Sequence, residues 1–140
     1  ELLSLAENSD AKAVDLMMDF AHGPSGHFGG HPVPGLYHLN TGSMLVQSKE
    51  IKDTLGVDFR ACENYTNGYE AAKKLDLPTL SILADKDRMC RLKDGQKLAD
   101  YIKGSEVHII QNCGHMMLLE EADQTLAILK KFILEKYPNN

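Results

Sequence analysis

Pro78-Thr79-Leu80-Ser81-Ile82-Leu83-Ala84-Asp85-Lys86-Asp87 decides the fold. Thr79 to Leu83 is a short apolar run with β-favouring residues, opened by a proline and closed by an acidic turn at Ala84 to Asp87, and it reads as a strand. Downstream, Leu92, Gly95, Leu98, Ala99 and Ile102 recur at helical spacing and stop near Gly104. Val107-His108-Ile109-Ile110 is a second strand, Asn112-Cys113-Gly114 a turn, and Leu119, Ala122, Leu126, Leu129 and Ile133 mark a long closing helix. A helix between two strands is the length that a parallel crossover needs, and such crossovers are right-handed. Two parallel strands do not make a stable sheet alone, because parallel sheets want both faces covered and further strands beside them.

Working upstream, the texture changes. Ser9 can cap a helix over about 10–21, with Ala11, Val14, Met17, Met18 and Ala21 on one stripe. Gly23-Pro24 ends it and opens a Gly- and Pro-rich loop running to Gly35. A second helical stretch covers about 43–55 and is broken by Gly56, a third runs over about 58–65, and Glu70 to Lys74 adds a last turn. The fold class is therefore α/β: a helical region over 1–76, then a β-α-β-α unit with parallel strands over 77–140.

Composition excludes several functions. The chain has 140 residues, 43% hydrophobic and 25% charged, which suits one soluble globular body. Its formal net charge of −5 argues against a nucleic-acid partner, since phosphate backbones call for a basic patch. No apolar run approaches the roughly 18 residues of a membrane span, and Glu1-Leu2-Leu3-Ser4 has no basic leader region. Cys62, Cys90 and Cys113 are odd in number and scattered, so reduced thiols in a cytoplasmic protein are expected. Cys113 stands two residues before His115, where a reactive thiol is conceivable, but a small buried side chain is the expectation.

In an open α/β sheet ligands bind beyond the carboxyl ends of the strands. Asp87 follows the first strand and His115 the second. Adjacent parallel strands lie under about 5 Å apart, so an Asp on one loop tip and a His on the next can meet. A carboxylate that accepts an imidazole N–H fixes the tautomer and stabilises the imidazolium formed when the other nitrogen takes a proton. Taken singly, either residue is as readily a turn former or a packed side chain.

The stretch from Pro78 to Asp87, followed by Gly114-His115-Met116-Met117, Glu120 and a long helix, resembles the penultimate strand, acid loop and histidine loop of the α/β-hydrolase family. The resemblance covers nearly all of Pro78 to Phe132. It implies Asp87 as acid and His115 as base of a Ser-Asp-His type triad. Asp87 fits the family's spacing better than Asp85, which reads as a turn former. Ala84 stands where the family often has Gly. The family's nucleophile sits on a G-x-S-x-G elbow between strand and helix. The nearest approach here is Gly23-Pro24-Ser25-Gly26-His27, with His27 in place of the last Gly and no strand before it. The expected protein is thus a partial α/β-hydrolase fold, with the nucleophile on a missing N-terminal half.

Residues 1–76 then occupy the place of the helical cap that the family inserts before its penultimate strand. Met17, Phe28, Tyr37 and Met116 are the candidate substrate-binding residues, although apolar residues at helical spacing are more often core. His22, His27, His31 and His38 are close in sequence but fit no zinc spacing, so neither a metal nor a cofactor is expected. Glu120, Glu121, Asp123, Lys130, Lys131, Glu135 and Lys136 read as a solvated face of the closing helix. Two functions are carried forward. One is the C-terminal part of a hydrolase acting on an ester-like or related bond of a small-molecule substrate, inactive alone. The other is a non-catalytic module that binds a small molecule and dimerises, because half a sheet exposes a strand edge and apolar faces.

Overall fold

A computed structural model of the chain describes residues 2–8, 11–23 and 54–138. Its elements in chain order are α1 (Leu2–Glu7), α2 (Ala11–Ala21), α3 (Thr54–Asn64), α4 (Gly68–Ala72), β1 (Leu80–Ala84), α5 (Leu92–Asp100), β2 (Glu106–Ile110), α6 (Met117–Glu120) and α7 (Ala122–Lys136). The strands pair in parallel, from Leu80 opposite Glu106 to Ala84 opposite Ile110. The pairing reaches one residue past each end. The Glu106 N–H donates to the Thr79 carbonyl at 2.9 Å and the Asp85 N–H to the Ile110 carbonyl at 3.1 Å.

Alternation along β1 sorts its two faces. Ile82 and Ala84 join Ile110, Cys113, Met117 and Ile128 in a cluster under α6 and α7. Leu83 points the other way, onto α5, where a Cβ on Gly95 would stand 2.7 Å from the Leu83 side chain. The glycine in the middle of α5 is what lets that helix lie close on the sheet. Ser81 faces the same side and shares a 3.1 Å hydrogen bond with Ser105, just before β2. The crossover helix and the closing helix therefore cover opposite faces of one parallel pair, as a parallel sheet requires.

The helical part joins this unit through two seams. Tyr69 of α4 stacks on Tyr101 after α5 with ring centroids 4.8 Å apart, and the Lys97 ammonium lies 4.7 Å from the Tyr69 ring. The second seam is the end of α2, where the Ala21 carbonyl accepts the Met116 N–H at 3.1 Å.

Two local expectations change. Gly56 does not break a helix. It lies inside α3, and a Cβ there would come within 3.0 Å of Glu7 Cα, so the glycine lets α1 and α3 cross closely. The closing helix is two pieces, divided at Glu121, whose backbone leaves the helical region (φ −137°, ψ 53°). Its apolar stripe is helical in spacing but not buried: Leu119, Leu126, Leu129 and Ile133 are all exposed. Most of the stretch expected as helix over 43–55, and the loop from 24 to 35, lie outside the described residues. Among the described residues no helix is long and apolar enough to cross a membrane.

Candidate active site

The two loop tips are stitched together before any catalytic side chain is considered. The Lys86 N–H donates to the Cys113 carbonyl at 3.0 Å, and the Cys113 N–H donates to Asp85 Oδ1 at 3.3 Å. Asn112 takes the left-handed conformation (φ 56°) that turns the chain out of β2, which Asn tolerates better than most residues. Asp85 is thus a bracket between loops. Burial alone would raise its carboxyl pKa. The Lys86 ammonium and the N–H groups of Cys113 and Asn112 outweigh that and hold it below the ordinary carboxylate value.

Asp87 is turned differently. Its Oδ1 accepts the N–H groups of Met89 and Cys90, both at 2.8 Å, which locks the carboxylate to its own loop. Its Oδ2 lies 2.8 Å from His115 Nδ1. The Asp87 side chain is only 6% exposed, whereas that of His115 is 44% exposed. A carboxylate only accepts, so Nδ1 carries a proton, and in the neutral imidazole Nε2 is the acceptor. Among the described residues no hydrogen bond reaches Nε2. The arrangement is an imidazole oriented by a buried carboxylate, on a side chain that is nearly half exposed.

Of the two acids weighed from sequence, Asp87 meets the imidazole and Asp85 holds the loops. Met116 follows His115, half-buried, and Met17 lies half-buried on α2. No contact between them places both on one pocket. Phe28, Tyr37 and Ser25 lie outside the described residues. His22 is buried at the end of α2 with Nδ1 2.8 Å from the Met18 carbonyl, a helix-end contact, while His27, His31 and His38 are outside the described residues. Cys113 is fully buried. Burial first, then the nearby Glu120, Glu121, Asp85 and Asp87 carboxylates, pushes its thiol up to about 12, so it is no nucleophile at neutral pH.

Glu120 departs from the solvated face expected for it. It is half-buried, and its Oε2 accepts the N–H groups of Gly23 and Gly114, each at 3.0 Å. Nothing in the local sequence marks this contact except the two glycines themselves, each needed where backbones almost touch. A Cβ on Gly114 would stand 2.1 Å from the Gly23 nitrogen.

Known proteins share this architecture. A thermophilic esterase superposes with a TM-score of 0.69 at 26% identity, over 89% of this chain and 46% of that one. An α/β hydrolase (MGS-M2) from a Medee basin deep-sea metagenome library gives a TM-score of 0.80 over 94% of this chain and 48% of its own, at 16% identity, a likeness of fold. The chain shares part of its fold with α/β-hydrolases and is similar to them in sequence. Among curated sequences, the proline iminopeptidase of Lactobacillus crispatus (strain ST1) is 31% identical over 74 residues, 51% of this chain and 25% of that protein. Monoacylglycerol lipase abhd6-A of Xenopus laevis is 29% identical over 73 residues, 51% of this chain and 22% of that protein. No family model matches. The chain spans about half the length of the solved relatives, and its match covers about a quarter of the curated ones.

Proposed function

We propose that the chain carries the acid and base of a hydrolase triad, with Asp87 orienting His115 and the serine nucleophile lying on a part of the protein outside these 140 residues. The observation that carries this reading is the 2.8 Å contact between Asp87 Oδ2 and His115 Nδ1 at the carboxyl ends of two parallel strands. Relatives named as an esterase, a lipase and a peptidase support an acyl-transfer reaction.

The chemistry follows from the geometry. Nε2 of His115 takes the proton of the serine hydroxyl as its oxygen adds to the carbonyl carbon of the substrate. The imidazolium so formed is stabilised by the Asp87 carboxylate, whose other oxygen is already held by two amides. The tetrahedral intermediate collapses as His115 returns that proton to the leaving alkoxide or amine. A water then gives its proton to Nε2, adds to the acyl carbon and releases the acid. Met17, Phe28, Tyr37 and Met116 remain the proposed lining of the acyl pocket, on the cap-like region over 1–76 and the histidine loop. The substrate is a small molecule with an ester-like or related bond, and the site in a cytoplasmic protein works without a cofactor or metal.

By this reading the isolated chain does not turn over a short p-nitrophenyl ester. Robust turnover that survives Ser25→Ala would show that a nucleophile within the chain has been overlooked. A second reading is favoured by one observation, the exposed apolar face of α6 and α7, where Leu118 is 71% and Leu126 63% exposed. That face is proposed to be covered by the nucleophile-bearing half, or else by a second copy in a non-catalytic, ligand-binding dimer. Light scattering separates the two: a dimer that does not dissociate when the nucleophile half is supplied in trans favours the binding module.

A further inference from the structure

Asp87 is fixed by its own loop, but His115 is not. Its side chain is nearly half exposed and, among the described residues, has Asp87 as its polar partner, so the backbone on either side helps to set its orientation. Both neighbours are tied to the same place. The Met116 N–H donates to the Ala21 carbonyl, the last residue of α2, at 3.1 Å. The Gly114 N–H donates to Glu120 Oε2, which also holds the Gly23 N–H just past the end of α2. The acid loop grips the same segment from the other side. Arg88, next to Asp87, pairs with Asp19 at 2.9 Å and lies 4.4 Å from the Phe20 ring centroid.

From this geometry we infer that Glu120 is a positioning residue: its carboxylate clamps the histidine loop to the end of α2, and through that contact sets His115 against Asp87. The inference rests on reading Asp87 and His115 as the acid–base pair. The residues from Asp19 to Gly23 act as a splint common to both loops, and Glu120 is the fastening on the histidine side. The carboxylate suits the task because one oxygen receives two amide donors, and hydrogen bonds to an ionised acceptor are stronger than neutral ones. The length of the side chain matters as much as its charge. Glu120 reaches back from the last residue of α6 to a junction where the two backbones leave no room for a Cβ.

The test uses the 140-residue chain labelled with 15N. Two signals are read: the Nδ1–H resonance of His115 bonded to Asp87, and the hydrogen exchange of the Gly23 and Gly114 amides. Glu120→Gln keeps the reach and one oxygen, so it retains the His115 signal. Glu120→Asp keeps the charge but is one methylene short. It and Glu120→Ala lose the signal, and the Gly23 and Gly114 amides exchange roughly tenfold faster or more, as for a lost hydrogen bond. The same signal in all three variants overturns the inference, and so does retention in Glu120→Asp with loss in Glu120→Gln. Should the Asp and Ala variants not fold, the unmodified chain in rising urea decides. The His115 signal must disappear together with protection at Gly23 and Gly114, and a signal that outlives that protection overturns the inference. Absence of the signal from the unmodified chain would instead defeat the acid–base reading itself.

Discussion

The carboxyl ends of β1 and β2 and the outer face of α7 are built to opposite standards. At the loop tips each carboxylate has a task and partners inside the chain: Asp85 on Cys113, Asp87 on Met89, Cys90 and His115, and Glu120 on Gly23 and Gly114. On α7 the side chains best suited to a core, Leu126, Leu129, Ile133 and Leu134, stand exposed. Polar order of the kind seen at the tips needs only a few well-placed partners, even when they come from distant segments. Burial of a helix face needs area, and two strands do not supply enough of it. The chain thus holds Asp87 against His115 through contacts of its own, while the apolar side chains on the outer face of α7 remain uncovered among the described residues.

The largest effect that would break this contrast is catalytic. With the proposed nucleophile half joined to the chain, His115→Ala should lower kcat by up to ~10⁶-fold, and Asp87→Asn by ~10⁴-fold, with the protein still folded. Loss of only a few-fold in both would mean that the pair is structural. Next comes the core beneath the tips. Ile110 is fully buried, so Ile110→Ala should cost about 2–5 kcal/mol in urea unfolding of the chain. If Ile110→Ala and Leu126→Ala cost the same, the division between a packed sheet and an unpaired helix face does not exist.

Asp85 offers a smaller, pH-dependent test. Its folded pKa lies below the unfolded value, so its contribution is fully present above about pH 4 and is lost as pH falls through the still lower folded value. Asp85→Asn should cost about 1 kcal/mol at pH 7 and should flatten the acid end of the stability curve. A variant whose acid sensitivity equals that of the parent would remove Asp85 from the bracket. The smallest effect is on the exposed face. Leu126→Gln should change the stability of the isolated chain by no more than about 0.5 kcal/mol while weakening its association with a second copy or with the nucleophile half. Unchanged association would mean that this face of α7 is not a contact surface.

Much of this was legible in the residues, though unevenly. The run from Thr79 to Leu83 and the run from Val107 to Ile110 marked two strands because short apolar segments bounded by turns are read locally. Asp87 and His115 followed because each stands just past a strand end. What stayed hidden was long-range. Gly56 looked like a helix breaker because a single sequence does not show that α1 crosses it. Glu120 looked like one more charge on a solvated helix because its partners, Gly23 and Gly114, come from two other segments. Leu126 and Ile133 marked a helix but not its exposure, because periodicity says which side chains share a face and not whether anything covers it.

The account rests on Asp87, and not Asp85, accepting the Nδ1 proton of His115. The most direct test is the 15N-histidine spectrum of the chain with Asp87→Asn and with Asp85→Asn. The account predicts a far-downfield Nδ1–H resonance for His115 in the parent, kept in Asp85→Asn and abolished or strongly shifted in Asp87→Asn. The same resonance unmoved by Asp87→Asn, or lost only with Asp85→Asn, would contradict it.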